Sequence, residues 1–119
     1  GFTLKLILKR KLNVSYQAID ENGNKLTFRS QPGADGKCLE GYTLADKITE
    51  SKLNMLKNVQ CTDSSKVFRY WAVMADGVLM RIDPESTLLE QRFSGNNEQT
   101  GKYNGSVVLY AVFGAKENA

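Results

Sequence analysis

From Phe2 to Ala18 the even positions read Phe, Leu, Leu, Leu, Arg, Leu, Val, Tyr, Ala. The odd ones are mostly Thr, Lys, Asn, Ser and Gln, with Ile7 the exception. Apolar side chains at every second residue suit a β-strand with one buried face, because successive side chains point to opposite sides. The pattern predicts one long strand, or two joined by a bend at Lys9-Arg10-Lys11. Glu21-Asn22-Gly23-Asn24 then predicts a turn into a partner strand around Leu26 to Ser30. Asn-Gly suits a two-residue turn, but a turn at 22–23 would set Phe28 opposite Gln17. A three-residue loop at 22–24 pairs Phe28 with Ala18 and keeps the apolar sides together, so that register is expected.

Gln31 to Gly41 holds Pro32, Gly33, Gly36 and Gly41 and is expected to be loop. Thr43 with Asp46 three residues later has the form of a capping box. Ala45, Ile48, Lys52, Leu56 and Val59 follow at helical spacing, so a helix is expected over about 44–58. Val67 to Met74 is dense in strand formers, and Asp76-Gly77 suits a two-residue turn into Val78 to Asp83. In that register Trp71 faces Ile82, Val73 faces Met80 and Ala75 faces Val78. The other face carries Phe68, Tyr70, Ala72, Met74 and Leu79, with Arg81 among them. With both faces apolar, this hairpin is expected to be covered on two sides. Asp83-Pro84-Glu85 reads as a helix start, with a strand as the alternative over 84–93. Ser94 to Gly105 is expected to be a polar loop, and Ser106 to Phe113 a buried final strand. These elements predict an α+β fold in a single domain, 1–119. Its core would be a mainly antiparallel sheet of five or six strands with one principal helix on it, and the sheet could curl into a partial barrel.

The chain has 119 residues, 41% hydrophobic and 24% charged, which suits one domain and excludes wholesale disorder. No apolar run approaches the roughly 20 residues of a membrane-spanning helix. The net charge is +3, yet Lys5, Lys9, Arg10 and Lys11 all precede the first acid, Asp20, so the remainder is slightly acidic. A basic strand of this kind can meet phosphate, an anionic surface or an acidic partner. It can equally be a solvated face whose lysines block edge-to-edge pairing. The chain begins at Gly1 without an initiator Met, as expected of a processed or shortened chain.

Cys38 and Cys61 flank the expected helix, and two cysteines without histidine suggest one disulfide rather than a metal site. Such a bridge would be worth roughly 3–4 kcal/mol and would imply an extracytoplasmic address, periplasmic or secreted. The alternative is a pair of unlinked buried thiols.

Histidine is absent, which removes Ser-His-Asp and Cys-His catalysis and imidazole metal sites. Asp20, Asn22 and Asn24 share the first spacings of a calcium loop, but position twelve is Gln31, so a hairpin turn is the expected reading. Carboxylate pairs such as Asp76 with Asp83, or Glu40 with Asp46, fall in turns and caps where acids occur anyway. No cofactor or metal is called for, and no catalytic motif is present. The leading expectation is a non-catalytic extracytoplasmic binding module that recognises a partner protein or a small apolar ligand able to carry negative charge. Its site is expected on the second hairpin face, at Phe68, Tyr70, Met74, Leu79 and Arg81, with Arg81 orienting an anionic group and loop 94–105 as a rim. Two alternatives stand beside it. One is a structural subunit assembling through its long N-terminal strand. The other is a single-stranded nucleic-acid binder that stacks bases on Phe68 and Tyr70 beside Arg69.

Overall fold

In the computed structural model the described residues are 11–30, 39–75, 77–91, 96–97, 102–103 and 105–116. Along the chain they form β1 (Asn13–Asp20), β2 (Lys25–Leu26), β3 (Phe28–Ser30), α1 (Glu50–Met55), β4 (Gln60–Cys61) and β5 (Lys66–Ala75). Then follow β6 (Val78–Arg81), β7 (Asn96–Asn97), β8 (Lys102–Tyr103) and β9 (Ser106–Ala115). The principal sheet has five strands in the order β2-β1-β9-β5-β6, with two-stranded ribbons β3-β4 and β7-β8 beside it. Among the described residues the architecture is β-rich with one short helix, and the sheet stays open, since β2 and β6 lie at opposite edges.

The sheet is mainly antiparallel, as expected, but mixed, since one of its four pairings is parallel. β1 runs parallel to β9 along its whole length, from Asn13 opposite Ser106 to Asp20 opposite Phe113. That pairing puts the almost wholly apolar β9 at the centre of the sheet, with β1 and β5 hydrogen-bonded along its two edges. Val107, Leu109, Ala111 and Phe113 enter the main core, and Val112 is buried on the opposite side. Of the long N-terminal pattern, residues 2–10 lie outside the described residues. Leu12 onward behaves as the alternation requires, with Leu12 and Ala18 in the core.

The β1–β2 turn preserves the expected parity but is centred one residue earlier, which shifts the register by two. Ala18 pairs with Leu26 rather than Phe28. The Asp20 carboxylate explains the choice: it accepts from the amides of Asn22 at 2.9 Å and Asn24 at 2.8 Å, and from Asn24 Nδ2 at 3.0 Å. Gly23 takes φ 86° inside that turn, a conformation that favours glycine. These donors occupy the oxygens that a calcium loop would direct at a cation. The expected strand 26–30 breaks at Thr27, and β3 leaves the sheet to pair with β4, Phe28 opposite Cys61.

The hairpin at Asp76-Gly77 has the expected register: Val73 opposite Met80, Ala75 opposite Val78, and the Ile82 amide donating to the Trp71 carbonyl at 3.0 Å. Trp71, Val73 and Ile82 are buried in the main core. Val78 and Met80, on the edge strand, are 57% and 51% exposed, so the covered face is narrower than expected.

The helix expected over 44–58 shrinks to α1, capped by the Thr49 hydroxyl accepting from the Lys52 amide at 3.3 Å. The Thr43–Asp46 box does form, with the Asp46 carboxylate accepting from the Thr43 amide at 2.7 Å. No helix propagates from it, because its carbonyls are taken. Leu44 O accepts from the Leu89 amide at 3.0 Å and Asp46 O from the Leu88 amide at 2.9 Å. In a helix those acceptors would serve Ile48 and Glu50. The donors come from a second box, in which the Glu90 carboxylate accepts from the Thr87 amide at 2.8 Å and the Thr87 hydroxyl at 2.9 Å. The two turns dock back to back with Leu44 and Leu88 buried between sheet and surface. Residues 84–91 are therefore turns, neither the expected helix nor the strand. Loop 94–105 likewise contains the β7-β8 ribbon, Asn96 opposite Tyr103.

The expected disulfide is not formed. Cys61 is a buried free thiol whose Sγ donates to the Asp63 carbonyl at 3.3 Å, and Cys38 lies outside the described residues. Pairing of β4 with β3 turns Cys61 into the core beside Val59 and Phe28. The extracytoplasmic address rested on that bridge alone and gains no support from the structure.

Candidate functional site

Among the described residues one face of the sheet is covered by other segments of the chain, and the other, called the bare face below, is packed only by side chains of the sheet itself. On the covered side, segments 39–61 and 82–89 pack Leu39, Leu44, Ile48, Leu56 and Leu88 against it. On the other side the described residues form a cluster of six, all from the sheet itself: Ile19, Ala72 and Val112 buried, with Tyr70, Leu79 and Tyr110 half-buried over them. Tyr110 lies opposite Ala72, and Ala72 opposite Arg81. The three strands β9, β5 and β6 thus present tyrosine, alanine and arginine in one row. Met74 lies opposite Leu79 on the same face. Toward β1 this face turns polar, with Ser15 beside Val108 and Gln17 beside Tyr110.

Arg81 is fixed on the patch rather than waving in solvent. Its guanidinium carbon lies 5.5 Å from the centre of the Tyr70 ring, a cation–π contact. The hairpin also leaves backbone groups open. The bond from Ile82 to Trp71 sets the two-residue repeat, so Met80 and Val78 turn their peptide groups inward toward β5. Those of Leu79 and Arg81 point to the outer edge. No strand among the described residues pairs with that edge.

Four of the five expected site residues, Tyr70, Met74, Leu79 and Arg81, share this surface. Phe68 does not. β5 carries a bulge at Arg69: Phe68 pairs with Phe113, yet Tyr70 pairs with the adjacent Val112. The extra residue reverses the alternation, so Phe68 joins Trp71 in the core, 5.6 Å between ring centres, and meets Phe113 at 6.0 Å. Phe68 and Tyr70 therefore point to opposite sides and make no base-stacking platform. Arg69 itself donates to the Ala115 carbonyl at 2.6 Å and lies 3.9 Å from Glu21. Gly114 makes room for that pair, since a methyl there would overlap the Glu21 carboxylate.

Tyr110 is the site residue that sequence reasoning missed. Its strand reads as continuously apolar, with nothing to tell one face from the other. Among the expected carboxylate pairs, Asp46 is held by Thr43, and Asp83 accepts from the Glu85 amide at 2.9 Å and the Ser86 hydroxyl at 3.1 Å. Both work as turn caps. Asp76 lies outside the described residues. Three other acids are held below their ordinary range by hydrogen bonds: Asp20 first by Asn24, Asp63 first by the Ser65 hydroxyl, and Glu90 first by the Thr87 amide. All three stabilise turns away from the patch.

No family model, no curated protein and no solved structure matches the chain. The geometry of the bare face is what bears on function.

Proposed function

We propose that this chain is a non-catalytic binding module that docks a partner protein on the bare face of its sheet. The observation carrying the proposal is the composition of that face: Tyr70, Tyr110, Met74, Leu79 and an Arg81 stacked on tyrosine. Tyrosine, methionine and arginine are the residues enriched at the centres of protein interfaces, where rigid rings give contact area at little entropic cost. The open edge of β6 supports the same reading, because a partner segment can add to it as a further strand.

Native mass spectrometry of the protein purified under mild conditions from the cells that encode it tests this reading. The wild type should appear in a stoichiometric complex with another protein. Tyr70→Ala and Arg81→Ala should each release it while keeping the parent's circular dichroism spectrum. Loss of fold in both variants, or an undiminished complex in both, would mean that the face is not the docking surface.

A further inference from the structure

A second concavity lies at the opposite margin of β5 from the hairpin, between the β3-β4 ribbon and the adjoining ends of β5 and β9. Its volume is about 500 Å³, within the range of small-molecule pockets. Its rim carries Arg29, Lys57, Lys66 and Lys116, and no carboxylate side chain lines it among the described residues. A quarter of the chain's 16 basic residues thus surround one cleft. Confining like charges there costs Coulomb energy that an anion would relieve. The nearest acids stand outside it. Asp63 and Asp20 both feel the Lys66 ammonium, yet each directs its carboxylate at its own turn. No ion pair involving the four cations occurs among the described residues.

The floor is different in kind. Val59, Cys61 and Phe113 are buried beneath the cleft, with Phe68 half-buried beside them. The Arg69 bulge is what turns the Phe68 ring to this side. The Phe68 ring is the part of that floor left accessible, and a partly exposed aromatic surface under a cationic rim selects for a molecule with both characters. Inorganic phosphate would leave the floor unused, and a neutral hydrocarbon would leave the cations unpaired.

We infer that this cleft is a binding site for a small amphiphilic anion, a carboxylate or phosphate head carried on an apolar body. The head would sit among Arg29, Lys57, Lys66 and Lys116, and the body would lie over Phe68, the floor side chain that is only half-buried. This inference stands apart from the bare face, whose residues Tyr110, Met74 and Leu79 take no part in the cleft.

Titration calorimetry with decanoate, decyl phosphate, decanol and inorganic phosphate tests it. Decanoate or decyl phosphate, or both, should bind saturably at one site per chain. Decanol and inorganic phosphate should each bind roughly tenfold more weakly or not at all, as expected when a charge-assisted contact or the apolar contact is lost. Whichever anion binds more tightly identifies the head group. Lys57→Gln combined with Lys116→Gln removes two exposed cations and should weaken the anion by about tenfold or more, with an unchanged melting temperature. Lys47→Gln, an exposed lysine elsewhere, should leave binding as it was. Affinity for decanol equal to that for decanoate, absence of saturable binding by either anion, or indifference to the double variant would overturn the assignment.

Discussion

Trp71 joins the sheet to the layer above it, and its removal is the most informative test of the packing. The side chain is 3% exposed. Its ring meets Tyr16 edge-on at 5.7 Å and Phe68 at 5.6 Å, and its Nε1–H donates to the carbonyl of Leu56, the C-cap of α1, at 3.2 Å. Removing a large aromatic from a core costs about 3–5 kcal/mol in transfer and cavity terms. Each aromatic pair is worth about 0.5–1.5 kcal/mol, and the buried hydrogen bond about 1 kcal/mol, so Trp71→Ala belongs at the upper end of that range. Domains of this kind hold only about 5–15 kcal/mol in total. At roughly 3–6 °C per kcal/mol for this size, Trp71→Ala should lower the melting temperature by about 12–30 °C. Trp71→Phe keeps most of the ring but leaves the Leu56 carbonyl without its donor, so it should cost about 1–3 kcal/mol. Far-UV circular dichroism is the suitable readout, because the substitution deletes the chain's only tryptophan. A Trp71→Ala protein melting within a few degrees of the parent would refute the packing and the hairpin register that places this ring.

Gly114→Ala should push Glu21 and Arg69 aside. An exposed ion pair of that kind is worth at most about 1 kcal/mol, so urea unfolding should shift by no more than that, and a loss of several kcal/mol would show the pair to be held rigidly. Asp20, Asp63 and Glu90 are depressed in the folded state, so each stabilises the fold above its unfolded value and loses that contribution as pH falls through its lower folded value. NMR titration should put their midpoints below the roughly 3.9 and 4.3 of free Asp and Glu, with stability falling from about pH 4 downward; midpoints at or above those values would break the argument. Cys61 is buried and unlinked, so it should alkylate only on denaturation, and recovery of a Cys38–Cys61 peptide from the native protein would contradict the structure.

Much of this was legible where the determinants are local. The β5–β6 register follows from Asp76-Gly77 and its flanking alternation, and the core position of Trp71 follows from that register. The parallel pairing of β1 with β9 has no local record, since each strand is apolar enough to suit several neighbours. The long helix failed because Leu88 and Leu89 compete for the carbonyls that a helix needs, a contest decided in three dimensions. The bulge at Arg69 was hidden for a related reason. Val67, Phe68, Tyr70 and Trp71 are all apolar, so alternation cannot show where one residue is skipped. That single hidden feature moved Phe68 from the bare face to the core and helped to build the cationic cleft.

The central claim is that the bare face, with Leu79 near its open edge, is where a partner sits. Site-specific photo-crosslinking tests it most directly, with a photoreactive phenylalanine analogue replacing Leu79 in one protein and Ala45, exposed on the opposite layer, in another. Expressed in the native cells, the Leu79 protein should give one discrete crosslinked species containing a second polypeptide, suppressed by Arg81→Ala, and the Ala45 protein should give none. Crosslinking from Ala45 alone, or equally from both positions, would contradict the account.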